Sequence, residues 1–189
     1  MSQNYEIARP LPPNVKRAAT ILSWAGNIGF WGQLILGVLA VALLSLSLAG
    51  LVVQQKSAEG TSFSIFCSIA GVLALIISII ICFRYKKIAR LMRNPEATQR
   101  PKKASTLQLI RAGLLSNLVG IFFSIIGAEG FVGILWQKLS NIPQGAAVYD
   151  TSKLPTPSEI LLLLANTHTV LCHFVGLVVG LYLLDRLDR

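Results

Sequence analysis

Four long apolar stretches dominate this chain and are separated by short polar islands. They cover about 18–54, 62–84, 110–137 and 159–184. A hydrocarbon core about 30 Å thick needs about 20 apolar residues in a helix. Only helices satisfy their own backbone hydrogen bonds in lipid without closing a barrel. The pattern therefore predicts an all-α, polytopic membrane protein: one four-transmembrane-helix bundle over 15–189, after a polar N-terminal tail at 1–14. That tail has no apolar core followed by a small-residue cleavage site and is not a long Arg/Ser-rich transit peptide. The first apolar stretch is thus expected to be retained, as in a bacterial or already processed chain.

Local signals place the helix ends. The first helix is expected to begin after Pro12-Pro13 with Asn14 as its cap. Running to Gln55 it would be about 60 Å long at 1.5 Å per residue. Lys16, Arg17 and Trp24 would sit at the interface. The second helix is expected to continue through Arg84–Arg93 and stop at Asn94-Pro95, with Ile88, Leu91 and Met92 on one face. Ser105–Gln108 has the form of a capping box opening the third helix, and Thr156–Glu159 the same for the fourth, with Pro157 in its first turn. Asn141 to Leu154 forms a long outer loop carrying Pro143 and Gly145.

Within the spans, small and polar residues form stripes. Gly26, Gly29, Gln33, Gly37 and Ala40 line one face of the first helix. Gly113, Asn117, Gly120, Ser124 and Gly127 line the third, and Asn166, Thr169, His173, Gly176 and Gly180 the fourth. Steps of three and four keep residues on one helical face. In lipid, small residues that let backbones approach supply the packing between helices. The stripes predict a bundle interior holding Gln33, Asn117, Asn166 and His168 as well as His173. They also predict that helices one, three and four pack tightly. Helix two, apolar from Leu75 to Ile80 except for Ser78, is the expected lipid-facing member.

Composition agrees: 53% of the 189 residues are hydrophobic and 13% charged, which leaves little material for a separate water-soluble domain. The formal charge of +9 is not spread evenly. Nine Lys/Arg against Glu96 fall between Arg84 and Arg111, Arg84, Lys86, Lys87, Arg90, Arg93, Lys102 and Lys103 among them. Basic residues on alternate loops are the positive-inside pattern. It places both termini and the 84–111 loop on the cytoplasmic or stromal side, against the lipid bilayer, and argues against nucleic acid as partner. Polybasic segments beside a span gain about 1 kcal/mol per charge near an anionic surface. Cys67, Cys82 and Cys172 are isolated within the spans, which indicates neither a zinc site nor a disulfide framework.

Few residues could carry chemistry. His173 is near the middle of helix four, where an imidazole can pack against Asn117 or Gln33, hold a transition metal or pigment, or relay protons. His168 and Cys172 share a face at the spacing of a soft-metal pair, without a third ligand. Glu129 is the one acid within a span. Such carboxylates suggest function by default, although it points away from the Gly120/Ser124/Gly127 stripe. His173 and Glu129 are the candidate metal contacts. With no phosphate loop, no nucleophile beside a base and no paired carboxylates, the chain is not expected to be an enzyme.

Gly29-Phe-Trp-Gly-Gln-Leu34, Asn117 with Gly127 and Gly133, and Ala165-Asn-Thr followed by His173-Phe and Gly176-Leu177 together resemble one family. It is that of the chloroplast inner-envelope Tic subunit twenty-one, or permease in chloroplasts, and its cyanobacterial relatives. The resemblance runs from about Lys16 to Leu184. It implies four membrane helices with both termini stromal or cytoplasmic. It also implies a transport-associated role, either protein import or iron permeation with transient iron contacts, in a plastid inner envelope or a cyanobacterial plasma or thylakoid membrane. Gln33, Asn117, Asn166 and His173 match the family's polar positions, while Glu129, His168 and Leu164 depart from it. Four helices are few for a pathway, so a homo-oligomer or a larger membrane complex is expected. The alternative is a non-transporting accessory or assembly subunit, for example of a photosynthetic complex.

Overall fold

Prolines set the start of the first helix. The Pro12 carbonyl accepts from the N–H groups of Val15 and Lys16 at 3.0 and 3.1 Å, and Pro13 takes the first helical position, where its missing N–H costs nothing. Asn14, expected as the cap, lies inside the helix instead. A computed structural model of the chain describes residues 11–53, 61–94, 96, 98, 100–142 and 154–188. Within them run α1 (Pro13–Val53), α2 (Thr61–Met92), α3 (Lys103–Ser140) and α4 (Pro157–Asp188). All four are long and apolar enough to cross a membrane. The polar tail at 1–10, the Lys56/Glu59 loop and the segment with Pro143, Gly145, Asp150 and Lys153 lie outside the described residues.

The helices form a ring in which each packs antiparallel against the next and α4 closes onto α1; α1 and α3 sit at opposite corners. The stripes face inward. Gly29 meets Cys82 and Val179, Gly37 meets Leu75, Gly113 meets Tyr85, and Gly180 meets Leu114. Two apolar clusters bracket the middle. Leu22, Ile81, Tyr85, Ile110 and Leu183 fill the end at which the chain enters and leaves the bundle, and Leu44, Phe131, Ile134 and Leu162 the opposite end. The first is called the basic end below, because Arg84–Arg111 belongs to it.

Helix α2 corrects one expectation. It is no lipid-facing outlier but packs between α1 and α3, burying Ser64, Ser68, Gly71, Ala74, Ser78, Cys82, Tyr85 and Ala89. These recur at steps of three and four, so α2 has a small-residue face of its own. The apolar run from Leu75 to Ile80 conceals it, because one small side chain per turn is enough to admit a neighbouring backbone.

The helix starts also depart from expectation. Lys102 is the cap of α3 and no side chain caps it, so Ser105–Gln108 lies inside the helix and forms no capping box. At α4 only half the box forms. The Glu159 carboxylate accepts from the Thr156 N–H at 2.8 Å, whereas the Thr156 hydroxyl has no partner among the described residues. Glu159 also pairs with Lys138, in the last turn of α3. Each charge complements the dipole of its own helix end, and the pair ties α3 to α4 at the end opposite the basic one. Glu159→Gln keeps the shape and removes the charge. It is expected to lower stability by about 1 kcal/mol, read as a shifted midpoint in denaturant unfolding of the detergent-solubilised protein.

Candidate functional site

Between the two apolar clusters the stripes of all four helices converge on a sealed polar layer. Gln33 of α1 and His173 of α4 are 0% exposed, Ser78 of α2 is 1%, and Asn117 of α3 is 2%. The Gln33 amide donates to Ser78 Oγ at 2.9 Å, to Asn117 Oδ1 at 3.0 Å and to the Cys172 carbonyl at 3.3 Å. Ser78 Oγ donates to Asn117 Oδ1 at 2.9 Å, and the Cys82 thiol donates to Gln33 Oε1 at 3.4 Å. Asn117 Nδ2 returns to its own helix at the Gly113 carbonyl, 2.9 Å away. Asn117 Oδ1 is therefore the hub on which donors of α1 and α2 meet.

His173 completes the layer. Its Nδ1 lies 3.0 Å from Asn117 Oδ1 and its Nε2 3.1 Å from the Gly71 carbonyl. A neutral imidazole has one N–H and a protonated one has two, so the ring joins α3 or α2 when neutral and both when protonated. Both nitrogens face oxygen, and neither offers an open lone pair to a metal ion. The ring occupies the space where a Cβ on residue 120 would stand, which glycine alone leaves free. Gly176 does the same for the Gln33 and Asn117 amides.

A second polar step lies closer to the far end. Asn166 donates to Ser68 Oγ at 2.8 Å and to the Leu162 carbonyl at 3.1 Å. Ser68 donates to the Ser64 carbonyl at 2.8 Å, and Gly127 leaves room for the group. Beyond it Ser47 Oγ donates to the Ser158 carbonyl at 2.6 Å. Ser64 Oγ and Ser124 Oγ are buried without a partner among the described residues.

The remaining sequence candidates lie elsewhere. His168, expected in the interior, is half-buried and bonds the Leu164 carbonyl of its own helix at 2.9 Å. Stepping five residues from His173 rotates it off the inner face. Glu129 is exposed on the outer face of α3, so it does not join His173 and the two do not form one metal site. No three His, Cys, Asp or Glu side chains cluster as a metal site among the described residues. Arg84, Lys87, Arg90, Arg93, Lys102 and Lys103 are exposed at the basic end. Lys86 instead turns back onto α1, donating to Asn27 Oδ1 at 3.0 Å and lying over the Phe30 ring. The residues missed from sequence are Ser78, Cys82, Ser68 and Gly71, all on α2. Their spacing was the available signal.

The comparisons agree with this picture. Over 164 residues, 84% of its length, the chain is 29% identical to "Protein TIC 21, chloroplastic" of Arabidopsis thaliana. It spans about half, 54%, of that relative's length. This bears out the family resemblance drawn from the polar positions within the spans. No solved structure matches the chain. The match to the family model described as "Protein of unknown function (DUF3611)" covers residues 12–188, all four helices, and the chain belongs to that family.

Proposed function

We infer that this chain is a transport-associated, non-enzymatic membrane subunit that works within a larger assembly rather than enclosing a passage itself. The polar side chains at the middle of the bundle bond one another directly, which supports a structural seam over a conduit. The observation that carries the reading is Glu129. It sits on the outer ridge Phe122, Ile125, Glu129, Val132 and Trp136, whose apolar members are 43–72% exposed. No described residue pairs with it. It lies seven residues before Trp136, about 10 Å along the helix. An ionisable side chain inside a span ordinarily faces a partner. In this reading the partner comes from outside the chain: a transmembrane segment of another subunit with a Lys or Arg at that depth.

The similarity to the chloroplastic relative supports a plastid-envelope or cyanobacterial membrane, and the positive-inside pattern supports a cytoplasmic or stromal basic end. In this reading the family's import or transport role is exercised through the assembly. Mild detergent extraction and native electrophoresis should place the wild type in a band far larger than 20.5 kDa, and Glu129→Gln should release most of it. A wild-type protein that migrates as a free monomer removes the proposal.

The second reading makes the chain itself an iron permease, with iron as cargo. The run of polar side chains from Gln33 through His173 and Asn166 to Ser47 favours it. Proteoliposome flux separates the two. The subunit reading expects no iron movement by the purified chain; flux abolished by His173→Ala would establish the permease instead.

A further inference from the structure

The structure assigns a second site, independent of the reading above: we propose that a cavity at the basic end binds the phosphate of an anionic phospholipid and lays an acyl chain along its apolar wall. The cavity, about 650 Å³, opens among the start of α1, the α2–α3 connection, the start of α3 and the end of α4. Arg17, Arg100, Lys103 and Arg186 line it, and among the described residues no acidic one does. Ile21, Met92, Leu107 and Leu187 line it too, at the edge of the apolar cluster that fills this end of the bundle. The site thus offers both cations and apolar side chains, the two surfaces that the phosphate and the acyl chain of a lipid require.

Several features point to an anion. Lys103 is steered by the Asp188 backbone carbonyl at 3.0 Å, and Arg186 by the Tyr182 ring, 5.7 Å from its centroid. Both partners orient a cation without neutralising it. Arg100 donates its Nε to the Asn94 carbonyl at 3.0 Å. Lys103 opens α3, which has no side-chain cap and no acid in its first turn. The first N–H groups of a helix have no intrahelical partner and attract phosphate. Arg17, Lys103 and Arg186 converge with no acidic side chain lining the cavity among the described residues; they repel one another, and a phosphate relieves that.

Position separates a lipid from a soluble phosphate. Trp24 and Tyr182 meet edge to face at 6.4 Å, with Trp24 62% and Tyr182 39% exposed. Such aromatic side chains mark the level of lipid headgroups. Tyr182 is one helical turn before Arg186, which puts the cations at headgroup level. Arg17 and Arg186 come from opposite ends of the chain, so neither the basic loop nor any local motif forecasts this site.

The test uses the full chain in phosphatidylcholine nanodiscs with graded phosphatidylglycerol, then native mass spectrometry of retained lipid. Arg17→Gln with Arg186→Gln should reduce retained phosphatidylglycerol about thirtyfold, at roughly 1 kcal/mol per contact. Arg84→Gln with Lys87→Gln removes the same charge from exposed positions outside the cavity and should cost clearly less retained lipid than the first pair, because a surface charge attracts the leaflet as a whole without holding one molecule. Equal losses in the two pairs, or none in the first, overturn the site. Arg17→Lys with Arg186→Lys keeps both charges and should retain binding; a loss as deep as the Gln pair's counts against it. Displacement of the lipid by millimolar inorganic phosphate makes this a soluble-anion site and overturns the lipid assignment.

Discussion

Asn117→Leu is expected to unfold the detergent-solubilised protein at lower denaturant than wild type, a loss of about 2 kcal/mol. The side chain is 2% exposed, and its Oδ1 faces donors from Gln33, Ser78 and His173. Leucine has similar volume, so little of the loss comes from packing. What disappears is an acceptor shared by three helices. A hydrogen bond between membrane helices contributes only about 0.6 kcal/mol on average, whereas a buried donor left without an acceptor costs about 1–3 kcal/mol. Here each donor keeps another oxygen in reach: Gln33 has Ser78 Oγ and the Cys172 carbonyl, Ser78 has Gln33 Oε1 at 3.1 Å, and His173 has the Gly71 carbonyl. The loss is therefore that of the bonds between helices, about 2 kcal/mol for three. Ser78→Ala removes one donor and strands none of the others from Asn117, so it should cost under about 1 kcal/mol. If Asn117→Leu and Ser78→Ala are equally mild, the hub assignment fails. Urea or sodium dodecyl sulfate titration followed by tryptophan fluorescence measures both.

Gly120→Val should be of comparable size through a different cause. Residue 120 faces His173, and any Cβ there would stand inside the imidazole. The ring has no easy retreat, because it is wedged between Asn117 Oδ1 and the Gly71 carbonyl and bonds at least one of them. Either α3 and α4 separate, losing close backbone contact, or His173 swings out and breaks the polar layer. Overpacking of this kind costs about 3 kcal/mol. His173→Ala empties the space and should partly rescue Gly120→Val, while Gly133→Val, at a position with open space around it, should be near neutral. Rescue is the deciding readout, since general helix damage at residue 120 would not respond to residue 173. Fluorescence-detected size-exclusion chromatography across a temperature ramp shows it directly.

Much of the site was legible because stripes in a membrane helix carry information that hydrophobicity does not. Gln33, Asn117, Asn166 and His173 are costly in lipid unless bonded, and steps of three and four already placed them on inner faces. Their pairing was not legible. Nothing local says that Asn117 rather than Gln33 is the hub, or that Gly120 is empty for the sake of His173. Helix α2 was misjudged because Ser78 looked like a lone interruption. The neighbours that make it part of a face, Gly71 and Cys82, read as ordinary members of an apolar run. His168 was misjudged for the opposite reason: a polar residue one position off the stripe turns toward the bundle's outside and bonds its own backbone.

Taken alone, the sequence determined class and span number. It did so because a backbone in lipid must satisfy itself, and the length of each apolar stretch reports that need. It also determined which residues face inward on three helices, since helical period converts spacing into direction. Tertiary structure decided the order of helices around the ring, the place of α2 within it, the sharing of one amide among four helices, the outward placement of Glu129, and the meeting of Arg17 with Arg186. Each of these depends on which face meets which. In lipid that choice comes from the fit of backbones and polar groups across helices, a property of pairs of surfaces that no single helix encodes.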